Sequence, residues 1–264
     1  MSGGGGGAGG GAGGGAGGGA AGARAPRVLV VQHEDGCPLG RLALPGAAVD
    51  LRRPYRGDPL PARPADHDAL VVLGGRVAAW EDDAAPWLPA TRRLLAAAVA
   101  DGAAVLGICL GAQLLALATG GRVERGGAGP EVGVLPVTAA PGADGDPLVG
   151  GLGPSWRAPQ AHGDAVSALP PDAVLLAASA AYPVQAFRLG HRAWGVQYHP
   201  EVTPRVYGEW LAGHGRDLAV RGTDAAAELA GMRRRDGELG ALARGHGEAL
   251  LAAAGAGPGA GAAR

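Results

Sequence analysis

A cysteine placed between two glycines is the residue of this sequence best suited to covalent chemistry. Cys109 lies at the centre of the segment Gly107–Gly111, which has the G-x-C-x-G pattern of a nucleophile at a sharp strand-to-helix turn. The glycines leave room for the adjoining strand and helix, and the helix start directs free N–H groups at the sulfur. The pattern predicts an exposed, activated thiolate for nucleophilic attack. A buried structural cysteine in an Ala-rich helix is the alternative.

A histidine and a glutamate two positions apart supply the partners that such a thiol needs. His199 and Glu201 follow the segment 194–198, which begins as an apolar strand. Residues two apart in an extended chain face the same side, so Glu201 can hold one imidazole nitrogen while the other faces a nucleophile. On its own, this His-Pro-Glu sequence also fits a surface turn. Together with the cysteine turn, it predicts a Cys-His-Glu triad.

Strand and helix patterns alternate around the cysteine. Strands are predicted at 28–31, 47–51, 69–73 and 103–108, and helices at 87–100 and 110–119. Continuous apolar runs such as 69–73 are typical of strands that are covered on both faces. The pattern therefore predicts an α/β fold of three layers, in which a mainly parallel central sheet has helices on both faces.

The second half of the chain has a different pattern. Short strands are predicted at 132–137, 173–177, 184–189 and 193–198 without intervening helices, which indicates a smaller antiparallel β section. The segment 160–164 is predicted to be a polar loop within it. Thr203 and Pro204 have the pattern of an N-cap followed by proline at the first helical position, so a helix to about residue 213 is expected directly after the triad.

These motifs resemble a known family. The segments 107–113 (G-I-C-L-G-A-Q) and 198–201 (Y-H-P-E) are similar to the two characteristic blocks of class I (triad) glutamine amidotransferases, and 73–75 and 162–164 are similar to weaker blocks of the same family. The resemblance covers about residues 27–215. It implies a flavodoxin-like fold and is strongest to standalone members similar to the amidotransferase domain of GMP synthase.

The resemblance also implies roles for residues around the triad. The backbone N–H groups of Gly75 and Leu110 would form an oxyanion hole. The substrate would be contacted by Gln113, His162, Gly163 and Asp164. The family's usual proline after the glycine pair is Arg76 here, and Glu131 matches an acidic position to which the sequence assigns no role.

Three functions are compatible with these residues. The first is hydrolysis of the γ-amide of glutamine through a thioester on Cys109, with ammonia passed to an acceptor such as a synthetase subunit. The second is hydrolysis of γ-glutamyl peptides or amines by the same triad. The third is a non-catalytic binding protein, against which the complete triad argues. We expect no cofactor, and the cysteine and histidine spacings do not resemble a metal site for zinc.

Composition argues against several other classes of protein. The 23 basic residues, all Arg, are balanced by 24 acidic ones, so the chain has no excess of positive charge for binding nucleic acid. No signal peptide or membrane-spanning stretch is predicted, and two cysteines give no disulfide framework, so we expect a cytoplasmic protein.

Four parts of the chain are distinguished by their sequence patterns. Segments 1–25 and 254–264 are rich in Gly and Ala and are predicted to be disordered, because they have nothing to bury against the entropy of ordering. Residues 26–216 are predicted to form the amidotransferase domain. A C-terminal helical extension at 217–253 either packs on it or forms a partner surface.

Overall fold

The computed structural model describes residues 1–6 and 24–255, so most of both predicted disordered tails lies outside the described residues. The strands of the described part are β1 Arg27–Val31, β2 Ala48–Arg52, β3 Ala69–Val72, β4 Ala104–Ile108, β5 Arg122–Arg125, β6 Glu131–Ala139, β7 Ser155–His162, β8 Asp164–Ala168, β9 Val174–Ala178, β10 Ala186–Leu189 and β11 Ala193–Val196. The α-helices are α1 Leu88–Ala100, α2 Leu110–Ala118, α3 Pro204–Ala212, α4 Gly215–Val220, α5 Ala225–Arg234 and α6 Asp236–Gly255.

One large sheet organises these elements. Its strand order is β2-β1-β3-β4-β11-β10-β9-β6-β7, while β5 and β8 form a separate two-stranded sheet. Strands β2, β1, β3, β4 and β11 pair in parallel, and the pairs from β11 through β10, β9 and β6 to β7 are antiparallel. The carboxyl ends of β3, β4 and β11 therefore meet at one edge, which is where open α/β sheets place ligands.

Helices cover both faces of the parallel part. In β1, Leu29 packs in a cluster with residues of α1 and α2, whereas Val28 and Val30 pack in a second cluster with residues of α6. Both faces of the strand are thus buried, as its continuous apolar run predicted. The predicted three-layer α/β fold with a mainly parallel sheet is confirmed.

The C-terminal helices pack on the rest of the protein. The predicted helical extension 217–253 begins within α4 and is then divided into α5 and α6, which are separated at Arg235. Helix α6 forms the second helical layer of the sheet, where it contacts β3 and β4. Gly247 allows α6 to pack closely here, because a Cβ on this residue would overlap the carbonyl oxygen of Ala43. Of the two roles considered for this segment, packing on the domain is the one observed.

Three strands were not predicted. β5, β7 and β8 lie in segments without a clear apolar run, and β7 and β8 place half-buried or exposed residues among buried ones. The segment 160–164 was predicted as a loop, which is wrong. Gln160 and His162 end β7, Gly163 makes the turn and Asp164 begins β8. Their geometry is set by pairing of β7 with β6 rather than by local sequence.

Candidate active site

The cysteine turn is a strained connection between β4 and α2. Cys109 is the N-cap residue of α2 and has φ 50° and ψ −107°, a left-handed conformation that is unfavourable for a residue with a side chain. Its two glycines are required by close packing. A Cβ on Gly107 would lie 2.6 Å from the carbonyl oxygen of Gly111, and a Cβ on Gly111 would overlap the carbonyl oxygen of Val72 in β3. The turn therefore holds the sulfur at the sheet edge. The prediction that Cys109 is exposed is wrong, because the packed ends of the strands and the helix leave it only 6% exposed.

The predicted histidine and glutamate lie beside this cysteine. The Nδ1–H of His199 donates to Oε1 of Glu201 at 2.8 Å, and both side chains are buried. Burial alone would lower the pKa of His199, but the Glu201 carboxylate and the sulfur of Cys109 outweigh it and raise this pKa to about 10.

Backbone hydrogen bonds fix Cys109 and His199 to neighbouring strands. The N–H of Cys109 donates to the carbonyl of Val196 at 2.8 Å, and the N–H of His199 donates to the carbonyl of Pro159 at 2.8 Å. Gly74 leaves room for both side chains at the end of β3, because a Cβ there would lie 3.0 Å from Cε1 of His199 and 3.6 Å from Cβ of Cys109. The ends of β3, β4 and β11 thus converge on the sulfur.

Helix α3 also holds the histidine. Its N-cap is Thr203, whose side chain accepts a hydrogen bond from the N–H of Val206, as the sequence predicted. Further along the helix, Trp210 packs edge-on against His199 with ring centroids 4.7 Å apart. Its indole N–H donates to the carbonyl of Gly36 at 2.8 Å. No sequence pattern indicated this contact, because α3 and Gly36 are far apart along the chain.

The predicted oxyanion-hole residues are neighbours. Leu110 is the first residue of α2, where backbone N–H groups have no partner within the helix. Gly75 lies against it, since a Cβ on Gly75 would be 2.9 Å from Cδ2 of Leu110. Arg76, which replaces the family's proline, is exposed and pairs with Glu34 at 3.5 Å.

A cavity of about 750 Å³ opens above the sulfur. The predicted site residues that line it are Gly75, Cys109, Gln113, His162, Gly163, Asp164 and His199. Leu110 and Glu201 are almost fully buried. One wall comes from α3 and α4 and carries Glu209, Trp210 and Asp217; another comes from the turns around β5 and β8. The site is therefore continuous from the cysteine to both walls.

His162 has both ring nitrogens occupied. Its Nε2 lies 3.0 Å from Oε2 of Glu131, and its Nδ1 lies 3.0 Å from the carbonyl oxygen of Asp164. Glu131 also accepts hydrogen bonds from Ser179 and Gln185. Burial opposes ionisation of Glu131, but hydrogen bonds from His162 and Ser179 keep the pKa of its carboxyl below the usual value. The group thus positions the β7–β8 turn, which gives Glu131 a structural role that the sequence did not assign.

The second cysteine also lines the cavity. Cys37 is 6% exposed, and its thiol donates to Oε1 of Glu34 at 3.1 Å. Burial, the nearby Glu34 and its hydrogen bond raise the pKa of Cys37 above the ordinary value, so it is poorly suited to act as a nucleophile.

Within residues 1–6 and 24–255, no cluster of three or more His, Cys, Asp or Glu side chains could hold a metal ion. No helix in the same ranges has the length and apolar character to cross a membrane.

Part of this chain is similar in sequence to known proteins. A subunit of the glutamine-hydrolysing GMP synthase of Natronomonas pharaonis is 41% identical over 117 residues, which are 44% of this chain and 62% of the relative. The subunit of the same name from Halobacterium salinarum is 42% identical over 106 residues, 40% of this chain and 56% of the relative. The chain therefore spans less than two thirds of the length of these relatives.

Solved structures match over a longer range. A glutamine amidotransferase from Thermotoga maritima covers 86% of this chain and 98% of its own, with a TM-score of 0.76 and 28% identity. A glutamine amido transferase from Methylobacillus flagellatus covers 87% and 95%, with a TM-score of 0.77 and 27% identity. The family model of glutamine amidotransferase class-I matches residues 62–213, which is more than half of the chain. The predicted resemblance is confirmed, and the chain belongs to the class I glutamine amidotransferase family.

Proposed function

We propose that this protein hydrolyses the γ-amide of glutamine through a γ-glutamyl thioester on Cys109. The observation that carries the proposal is the buried pair of His199 and Glu201, joined at 2.8 Å, beside a cysteine held at the start of a helix. This is the arrangement that nucleophilic catalysis by a thiol needs: an activated sulfur, a base and a group that orients the base.

In the proposed first step, the thiolate of Cys109 attacks the γ-carbonyl carbon. The N–H groups of Gly75 and Leu110 stabilise the oxyanion, and one such donor contributes about 3–4 kcal/mol to the transition state. The C–N bond breaks as His199 gives its proton to the leaving ammonia. Water then attacks the thioester and loses a proton to His199, and the C–S bond breaks to release glutamate.

The glutamyl head group would be bound at the wall formed by β7 and β8. Gln113 of α2 and His162, Gly163 and Asp164 at the β7–β8 turn are the proposed contacts, because they line the cavity together with Cys109. The ammonia would pass to an acceptor. Since two of the relatives are named as one subunit of a GMP synthase, a separate synthetase subunit is the partner we propose for this role.

A second candidate is hydrolysis of γ-glutamyl amines or peptides. It is supported by the cavity, which at about 750 Å³ is in the range of sites for ligands much larger than one amino acid. The wall from α3 and α4 carries Glu209, Trp210 and Asp217. Glu209 is paired with Arg205 at 2.7 Å, so Asp217 is the carboxylate of this wall that favours a leaving group with a positive charge, such as a diamine.

Glutamate release distinguishes these candidates. Purified protein is offered glutamine, a γ-glutamyl dipeptide and a γ-glutamyl diamine in parallel, with and without a GMP synthetase subunit. Preference for glutamine supports the first proposal, and preference for the diamine supports the second. Cys109→Ala is expected to abolish release, whereas Cys37→Ala, which changes the other cysteine of the cavity, is expected to retain it. Release by Cys109→Ala at the wild-type rate would contradict both. Failure of wild type on every substrate would favour a non-catalytic binding protein.

A further inference from the structure

The side chain of Gln197 contacts the sulfur of the cysteine turn. It directly follows β11, at a bend in the chain two positions before His199. The N–H of Gln197 donates to the carbonyl of Gln185 at 2.8 Å, and the side chain is 2% exposed. Its position is therefore fixed by the sheet.

Two hydrogen bonds occupy the amide group of Gln197. Its Nε2 donates to Sγ of Cys109 at 3.4 Å, and its Oε1 accepts from Nε2 of Gln113 at 3.2 Å. The same Nε2 of Gln113 donates to the carbonyl oxygen of Asp164 at 2.9 Å. A connected row of hydrogen bonds thus runs from the β7–β8 turn to the sulfur.

The direction of this row follows from its first member. The carbonyl of Asp164 can only accept, so the NH₂ group of Gln113 must face it. That NH₂ group also faces Gln197, which must therefore present its oxygen to Gln113. The NH₂ group of Gln197 is left to face Cys109, and the amide cannot be reversed without placing two donors against each other.

We infer that Gln197 is a catalytic hydrogen-bond donor that stabilises the thiolate of Cys109 during formation and breakdown of the thioester. This inference rests on the proposed function, in which Cys109 is the nucleophile. An N–H donor interacts more strongly with a thiolate than with a neutral sulfur. In the breakdown step, water attacks the carbonyl carbon, the C–S bond breaks, and the sulfur leaves with the electron pair toward this donor.

The contribution of Gln197 differs from that of His199. The imidazole carries a proton in some steps and not in others, whereas the amide stays neutral and donates throughout. The ionisable groups that face Cys109 are His199 with its partner Glu201, and Cys37 from the loop after β1. All of them remain in a variant that changes only residue 197, so an effect of the amide can be separated from theirs.

The test is the pH profile of alkylation of Cys109 by iodoacetamide, which requires no turnover. Peptide mass spectrometry follows Cys109 and Cys37 separately. In Gln197→Met, which keeps the length of the side chain but removes the donor, the midpoint for Cys109 is expected to rise by about one pH unit, or roughly tenfold less thiolate at a given low pH. Gln197→Glu, which retains an acceptor for Gln113 and adds a negative charge, is expected to shift it further.

Gln160→Met is the matched control. Gln160 is also a fully buried amide, and its Nε2 donates to Gln185 at 2.8 Å rather than to the sulfur. Its profile is expected to coincide with that of wild type. A Gln197→Met profile that also coincides with wild type overturns the inference; Gln197→Glu takes its place if the Met variant does not fold. If wild-type Cys109 itself resists alkylation, the proposed function fails together with this inference.

Discussion

The glycine after the nucleophile provides a direct test of how the site is built. In Gly111→Ala, the new Cβ would overlap the carbonyl oxygen of Val72 at the end of β3. Real Cβ atoms essentially never come closer than 3.0 Å to another heavy atom, and the obstructing atom is backbone, which cannot rotate away. The start of α2 must therefore move by about 1 Å, and a displacement of this size in an active site costs roughly 100-fold in rate.

The displacement carries Cys109 and the N–H of Leu110 away from His199, while the β7–β8 wall stays in place. We expect kcat for glutamate release to fall about 100-fold with little change in KM. Overpacking should also lower the free energy of unfolding by about 1–3 kcal/mol, measured by urea denaturation.

The control for this variant is Gly245→Ala in α6, where a Cβ would meet no atom within 4 Å. It should keep wild-type kinetics. A Gly111→Ala protein with wild-type kcat and stability would refute the reasoning, because it would show that the turn can adjust without losing its geometry.

Three further predictions concern other parts of the structure. Glu201→Gln should lower kcat by about 10³–10⁴-fold, because the charge that orients and stabilises the protonated His199 is lost; steady-state kinetics measures this, and a loss below tenfold would contradict it. Burial lowers the pKa of His246 to about 4, below the unfolded value of about 6.5, so the unfolded state takes up its proton first as the pH falls. The free energy of unfolding should therefore drop between pH 6.5 and 4, with up to about 3 kcal/mol from this residue, and urea titrations of His246→Gln should show a smaller drop than wild type. Gly247→Ala should destabilise by about 1–3 kcal/mol by overlap with backbone, whereas Gly245→Ala in the same helix should stabilise by up to about 1 kcal/mol in thermal or urea unfolding; equal effects would contradict the close packing of α6.

The elements that were predicted correctly are those with strong local patterns. β1, β3 and β4 are continuous apolar runs between turn residues, and α3 begins at its predicted cap, so local chemistry was sufficient to identify them. β7 and β8 are held by pairing with strands that are distant in the sequence, and no local apolar run marks them. Tertiary pairing outweighed the local polar pattern of 160–164.

The candidate site shows the same division. Cys109, His199 and Glu201 were predicted because each lies in a short motif whose spacing already implies chemistry. Gln197 lies next to one of those motifs, but its hydrogen bond to the sulfur depends on the bend that follows β11. Trp210 could not be predicted, because its contact with His199 depends on the direction in which α3 leaves the sheet edge.

The most direct test of the central claim is the identity of the residue that a glutamine-like electrophile modifies. The protein is treated with a γ-chloromethyl ketone analogue of glutamine, and the adduct is located by peptide mass spectrometry, with Cys37 as the internal comparison. One adduct per chain is expected, on Cys109, formed more slowly in the presence of glutamine and absent in Cys109→Ala. An adduct on Cys37, or labelling of Cys109 that glutamine does not slow, would contradict the proposed role of Cys109 as the nucleophile.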